Sequence, residues 1–404
     1  MSSSLYPHIP ERSILWIIGA IQFVNILDFM MVMPLGPDFA KALGMYESDL
    51  GWIGGSYTAA AAVSGIVCSL FIDGFDRKKA ILTAFGGLMI ATALGGCAWS
   101  FSSLLICRIL AGIFGGPATS LAWAIVADVV EPARRGHAMG KIMSAFSLAA
   151  IFGVPFGLEV AHLGNWATPF FTTAALGVIV ILAATKLMPE MKAHLAHVHT
   201  KTSLSYLLKL LAKPINRLTY LYVFIAMIAS FTLIPNLSAY VQYNMHYPRA
   251  DLGWLYSVGG VVSFITVQMT GKIVDRFNSF ITSFISMTVF IIMLFVSFIM
   301  PIKAMSATAF FMLTMFAMGM RNVSSTTLAT KIPPPQERAG FMSLFSCVQG
   351  IGMACGAFLS TRLLSENSDK SLNGMDHIAM LSIVTSLMVP LLIRVVEQRL
   401  RRPQ

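Results

Sequence analysis

The stretch Ser69-Leu70-Phe71-Ile72-Asp73-Gly74-Phe75-Asp76-Arg77-Lys78-Lys79 places an acid and a short basic turn between two long apolar runs. A weaker copy, Gly271-Lys272-Ile273-Val274-Asp275-Arg276, closes another apolar run in the second half of the chain. Two such turns at matching places point to a duplicated protein built from apolar helices. Composition agrees. The chain has 404 residues, 56% hydrophobic and 11% charged, with a mean hydropathy of +0.74, whereas a soluble domain carries about 25% charged residues. That much apolar surface cannot be hidden in a soluble fold of this length, so the sequence is that of an integral membrane protein.

A membrane span needs roughly 20 mainly apolar residues. Twelve segments qualify, at about 13–35, 49–72, 79–99, 101–127, 139–162, 165–188, 217–242, 250–273, 279–300, 304–328, 338–363 and 375–395. The first is too long for a signal-peptide core and has no small-residue cleavage site, so it is expected to stay as a span. With the N-terminus in the cytoplasm, only Lys41, Arg249, Lys303, Arg362 and Lys370 fall on the outer side, and Arg108 and Arg321 fall within spans. The rest of the 28 Lys and Arg lie inside, a positive-inside bias that puts both termini in the cytoplasm. The net charge of +10 is thereby explained by topology, and no nucleic-acid partner is expected.

The polar loop 189–216 reads as a cytoplasmic linker between two six-helix bundles, 1–188 and 217–404. Its tract His194, His197, His199 has no Cys or carboxylate beside it and reads as solvated linker, not as a metal site. The segment from Ser203 to Ala212 has the pattern of a short amphipathic helix on the membrane surface. Cys68, Cys97, Cys107, Cys347 and Cys355 all sit in apolar segments and read as packing residues. Sliding one half over the other also brings Glu131-Pro132-Ala133-Arg134-Arg135-Gly136 onto Pro334-Pro335-Gln336-Glu337-Arg338-Ala339.

This arrangement resembles the major facilitator superfamily over nearly the whole chain, in particular the branch of bacterial drug:proton antiporters and sugar-efflux permeases. The resemblance implies an all-α membrane protein of 12 transmembrane helices in two pseudo-symmetric six-helix halves. It implies a substrate site between them near the midplane, and alternating access by rocking. The turn at Asp73 is similar to the superfamily pattern G-x-L-a-D-r-x-G-r-k. Leu70, Asp73, Arg77 and Lys78 fit, while Ser69, Gly74 and Asp76 depart from it. A carboxylate at the cytoplasmic end of a helix is unfavourable with the helix dipole unless a cation or another helix N-terminus meets it. Asp73, Arg77, Lys78 and Asp128, with Asp275 and Arg276 in the second half, are therefore the expected gating contacts.

Two charges stand inside apolar spans. Arg108, followed by Gly112, Gly115 and Gly116, costs at least ~2.5 kcal/mol at mid-span and needs an inward partner. Asp28, in Gln22-Phe23-Val24-Asn25-Ile26-Leu27-Asp28, lies at the same expected depth, about 10 Å below the outer surface. Arg108 resembles the Arg of the R-x-x-x-G motif in proton-coupled facilitators, and Asp28 the first-span Asp of the drug:proton antiporters. A change that parts the pair would let a buried carboxylate take up a proton. The other reading is a fixed structural ion pair. Glu159 is a second candidate proton carrier. Gly153, Pro155 and Gly157 partly match the fifth-helix motif of exporters.

Arg321 is expected either to line the cavity and attract an anionic group or to snorkel to the inner surface. Gln22, Asn25, Tyr57, Asn236, Tyr240, Gln268 and Gln349 are further cavity candidates. No His-Glu-x-x-His, Gly-x-Ser-x-Gly or nucleotide-binding loop occurs, so neither an enzyme nor direct ATP drive is expected. The expected function is export of a small organic or amphipathic compound in exchange for protons, with no cofactor beyond the proton gradient. The alternative is a dedicated carrier of a sugar, siderophore or lysolipid without proton coupling. The expected setting is the bacterial cytoplasmic membrane, and the expected state a monomer whose partners are substrate, protons and lipid.

Overall fold

In the computed structural model, residues 11–71, 74–131, 134–192, 204–300, 305–334 and 337–401 are described. They are almost entirely helical. The elements in order are α1 (Glu11–Met31), α2 (Gly36–Leu43), α3 (Leu50–Ser69), α4 (Arg77–Gly96), α5 (Phe101–Val129), α6 (Arg135–Leu148), α7 (Val154–Leu163) and α8 (Thr168–Leu187). They continue as α9 (Leu204–Ala212), α10 (Pro214–Phe231), the single turn α11 (Leu237–Ala239), α12 (Leu252–Phe277), α13 (Ser279–Leu294), α14 (Ala307–Lys331), α15 (Arg338–Leu363) and α16 (Met375–Arg401). A two-stranded antiparallel hairpin, β1 (Ser365–Glu366) with β2 (Leu372–Asn373), joins the last two helices.

Among the described residues, 11 helical stretches are long and apolar enough to cross a membrane. The expected tenth span corresponds to α14, a 25-residue helix outside that set. It is long enough to span, but carries Arg321, Asn322 and the run Ser324-Ser325-Thr326-Thr327. Large apolar side chains such as Trp16, Phe152, Leu182 and Leu391 are exposed, as a lipid-facing surface requires.

The chain forms two compact units. The first comprises residues up to Val32 together with Ser56–Leu204. Here α4 packs on α5 and α8, and α1 on α6 and α8, around Ile14, Ile18, Ile21, Phe85, Leu88 and Ile125. Between lipid-embedded helices close van der Waals fit replaces the hydrophobic drive, and small residues permit it. A Cβ on Gly112 would stand 2.4 Å from the Tyr57 carbonyl oxygen, and one on Gly116 would stand 2.2 Å from that of Ala61. Only glycine lets α5 approach α3 so closely. Helix α6 runs into α7 through one π-turn, Ala149–Gly153. Pro155 follows directly, and a proline ring cannot be accommodated by an unbroken α-helical ladder.

The second unit comprises Met33–Gly55 and Ser205 onward. Helix α10 packs on α15 and α16, α14 on α12 and α13, and α13 on α16. Gly352 and Gly356 bring α15 against the Phe224 and Ile228 carbonyls of α10. The segment 33–55 is held within this unit: Arg249 Nε donates to Asp38 Oδ1 at 3.1 Å, Trp52 packs on Phe358 at 4.8 Å, and Gly51 abuts the Ala357 carbonyl.

Two expectations change here. The first span ends at Met31, not 35, because a turn at Val32–Leu35 leads into α2, with Pro34 before it and Pro37 within its first turn. The seventh is not one helix across 217–242: α10 stops at Phe231 and the chain passes Pro235 before α11. The amphipathic segment is helical over Leu204–Ala212, with Leu207 and Leu210 buried and Leu204, Leu208 and Leu211 exposed. The histidine tract 194–199 lies outside the described residues.

Candidate functional site

The first unit contains a buried polar cluster built on α1, α3, α4 and α5. Asp28 sits in the last turn of α1 and Arg108 in the second turn of α5; both are buried, at 0% and 1% exposure. Arg108 Nη1 donates to both carboxylate oxygens of Asp28, at 3.2 and 3.1 Å. The Thr92 hydroxyl of α4 lies 2.7 Å from Asp28 Oδ1 and 2.9 Å from the Leu88 carbonyl. Arg108 also lies over the Tyr57 ring, with 4.5 Å from guanidinium carbon to centroid. Two charges this deep are tolerable only because each answers the other and hydrogen bonds take up the carboxylate lone pairs. Arg108 Nε has no hydrogen-bond partner, so the guanidinium is incompletely satisfied.

A second layer follows. Tyr57 Oη donates to Asn25 Oδ1 at 3.1 Å, while Asn25 Nδ2 donates to Thr119 Oγ1 at 2.8 Å and to the Gly115 carbonyl at 3.3 Å. Gln22 Oε1 lies 3.5 Å from the same amide nitrogen. Phe29 stacks on Tyr57 at 5.3 Å. Gln22, Asn25 and Tyr57 thus belong to the Asp28–Arg108 neighbourhood. Thr92 and Thr119 went unnoticed in the sequence: a threonine in an apolar span normally bonds its own helix carbonyl, and nothing in the pattern sets these two apart.

At the foot of the helices, Arg77 is the first residue of α4 and Asp128 the penultimate residue of α5. Each charge is at the unfavourable end of its helix dipole. They offset one another: Arg77 Nε donates to Asp128 Oδ2 at 3.0 Å. Lys78 Nζ donates to the Thr185 carbonyl at 2.9 Å and also reaches that of Met188, where α8 ends and a cation is favoured. Asp76 caps α4 through the Lys78 and Lys79 amides. Asp128→Asn removes this charge-assisted hydrogen bond and should destabilise the fold by about 2 kcal/mol. The exchange Arg77→Asp with Asp128→Arg should recover part of the loss, read as folded yield in detergent.

Asp73 and the side chain of Asp275 lie outside the described residues. Arg276 is exposed, 5.3 Å over Phe277. Glu159 is exposed on α7 and stands apart from the buried cluster. Gly153 abuts Leu27, Gly157 faces Met31, and Pro155 is half-buried between them. In the second unit Asn236 donates to Ser360 Oγ at 3.0 Å, Tyr240 packs on Phe298 and Phe310, Gln349 is half-buried and Gln268 exposed. Arg321 is buried at 2% exposure, which removes the snorkelling alternative.

The model of the Major Facilitator Superfamily matches residues 18–357. The chain belongs to this superfamily. Its members are transporters and not enzymes, and the protein is accordingly a multi-pass membrane transporter. Relatives in Bacillus subtilis include an uncharacterized MFS-type transporter, YceJ, 22% identical over 66% of this chain and 68% of that protein. They also include multidrug resistance protein 2, 26% identical over the same shares. A probable sugar efflux transporter of Helicobacter acinonychis is 25% identical over 58% of this chain and 59% of its own length. Among solved structures, a bacterial homolog of the human lysosomal transporter Spinster superposes with a TM-score of 0.74, covering 96% of this chain and 97% of that one at 17% identity. The nucleoside transporter NupG gives 0.71, covering 96% and 99% at 14% identity. At such identities these structures speak for the fold alone.

Proposed function

We propose that this major facilitator is a secondary carrier exporting a small organic or amphipathic compound in exchange for protons by alternating access. The observation that carries the reading is the fully buried Asp28–Arg108 pair, with Thr92 and Tyr57 around it. While Arg108 faces it, the Asp28 carboxylate has a counter-charge. A conformational step that withdraws the guanidinium leaves a carboxylate in a low-dielectric setting, where the neutral acid is favoured and a proton is taken up. Return of Arg108 expels that proton. Protonation neutralises the carboxylate that the withdrawal of Arg108 leaves unpaired, so Asp28 is not left as a bare buried anion. Relatives named multidrug resistance proteins support efflux as the direction.

In this reading the basic turn with Arg77, Lys78 and Asp128, together with Asp73, Asp275 and Arg276, acts as the cytoplasmic gate, and Glu159 is an accessory proton carrier. The carrier works as a monomer in the bacterial cytoplasmic membrane with both termini inside. Relatives named sugar efflux transporters favour a second reading, a dedicated solute carrier without proton coupling.

Everted membrane vesicles acidified by respiration separate the two. Dye-reported collapse of the pH gradient on adding a compound, in vesicles carrying the protein and not in controls, is the expected result. If labelled solutes move through the protein while the gradient stays intact, uncoupled transport replaces the antiport reading.

A further inference from the structure

Among the described residues, the second unit contains a buried cation without a counter-charge. Arg321 of α14 is buried, its Nε has no hydrogen-bond partner, and no ion pair or hydrogen bond among the described residues involves it. Three buried serine hydroxyls share the condition: Ser283 on α13, Ser325 on α14 and Ser386 on α16. Buried polar atoms are nearly always satisfied, so unsatisfied ones that lie together call for a common cause.

Arg321 and Ser283 lie at one level, with Ser325 one turn along α14. Ser286 donates to the Ala317 carbonyl and Ser324 to that of Ser279, which fixes α13 antiparallel to α14 and brings Arg321 opposite Thr282 and Ser283. Tyr222 Oη donates to the Ser325 carbonyl, which puts Ala226 of α10 at the same height. On α16, Glu397 accepts from the Ser279 amide, which sets Ser386 about seven residues, or ~10 Å, from the level of Ser283 and outside the group. Helical geometry orients the arginine. Ala317 and Ser324 meet α13, Ser325 meets α10, and Arg321 occupies the arc of α14 between them. Helix α16 packs on both α10 and α13 and closes that arc.

Among the described residues no carboxylate pairs with Arg321. The Glu397 carboxylate of α16 is engaged by the Ser279 amide, a turn away from Ser283 along α13. A guanidinium and two hydroxyls are a donor set, and one positive charge calls for one negative charge. We propose that Arg321, Ser283 and Ser325 form a buried binding site for a small monovalent anion. A halide from the medium and the carboxylate of a transported acid present the same chemistry to these donors. The site stands independently of proton coupling at Asp28.

The test is thermal unfolding of the purified full chain in detergent, followed by tryptophan fluorescence, with sodium chloride, acetate or gluconate at constant ionic strength. A ligand of the folded state raises the midpoint in a saturable way. The wild type should respond to chloride or acetate and not to bulky gluconate. Response to chloride alone assigns a free halide, and response to acetate assigns a carboxylate group. Arg321→Gln should respond to none of the three. Ser283→Ala keeps the cation, so it remains informative if Arg321→Gln does not fold. It should raise the half-saturating concentration by about tenfold, the loss of one charge-assisted hydrogen bond. Equal response of the wild type to all three salts, or an unchanged response in either variant, overturns the proposal.

Discussion

Asp28→Asn should abolish proton-coupled transport and lower the stability of the first unit together. The amide cannot cycle a proton, and it leaves Arg108 as a buried cation facing a neutral amide and the Tyr57 ring. Removing one partner of a buried pair costs about 3–5 kcal/mol, because the remaining charge is uncompensated. Arg108→Gln should do similar damage from the other side. The informative variant is the double one. With Asn at 28 and Gln at 108 no charge is stranded, and neutral amides can still meet Thr92. Folded yield should therefore recover, while collapse of the pH gradient should not. That split assigns the pair to coupling. Recovery of both would make it a structural ion pair, the alternative already legible in the sequence.

The second large effect is steric. Gly116→Val should prevent assembly of the first unit, seen as loss of monodisperse protein on size-exclusion chromatography. The obstacle is the Cβ itself, 2.2 Å from the Ala61 carbonyl oxygen, so no rotamer relieves it and α5 must move off α3. Overpacking a fitted interface typically costs 1–3 kcal/mol, and displacing a backbone contact exceeds that. Because Gly115 is hemmed in by the Tyr57 hydroxyl and Asn25, a shift of α5 also disturbs the hydrogen bonds behind Arg108. Gly86→Ala is the matched control. Nothing stands within 4 Å of a Cβ there, and alanine is the better helix former by ~1 kcal/mol, so yield should hold or rise.

What the sequence disclosed follows from the cost of charge in an apolar setting. Asp28 and Arg108 were visible because neither has reason to stand in a span unless paired, and equal depth along two helices was enough to bring them together. The helical architecture was visible for the same reason, since hydropathy over twenty residues is a strong signal. Hydropathy is silent on rotation and on tertiary partners. Thr92 was therefore missed, and the fate of Arg321 stayed open. Local backbone chemistry overrode length at Pro34 and Pro235, where the apolar run continues but the helix does not. The tenth span shows the reverse: α14 is a full-length helix with a sequence too polar to announce itself.

The excursion of residues 33–55 into the second unit changes the chain's connectivity. The backbone passes from one unit to the other at 32/33, returns at 55/56 and crosses again at 204/205. A protein made of two tandem bundles has one covalent joint, and severing it yields two pieces. Here a break at the last crossing leaves two continuous strands still running between the units. Gene fragments cut at the midpoint would not correspond to these compact units, because the second takes 23 of its residues, Met33–Gly55, from the beginning of the chain.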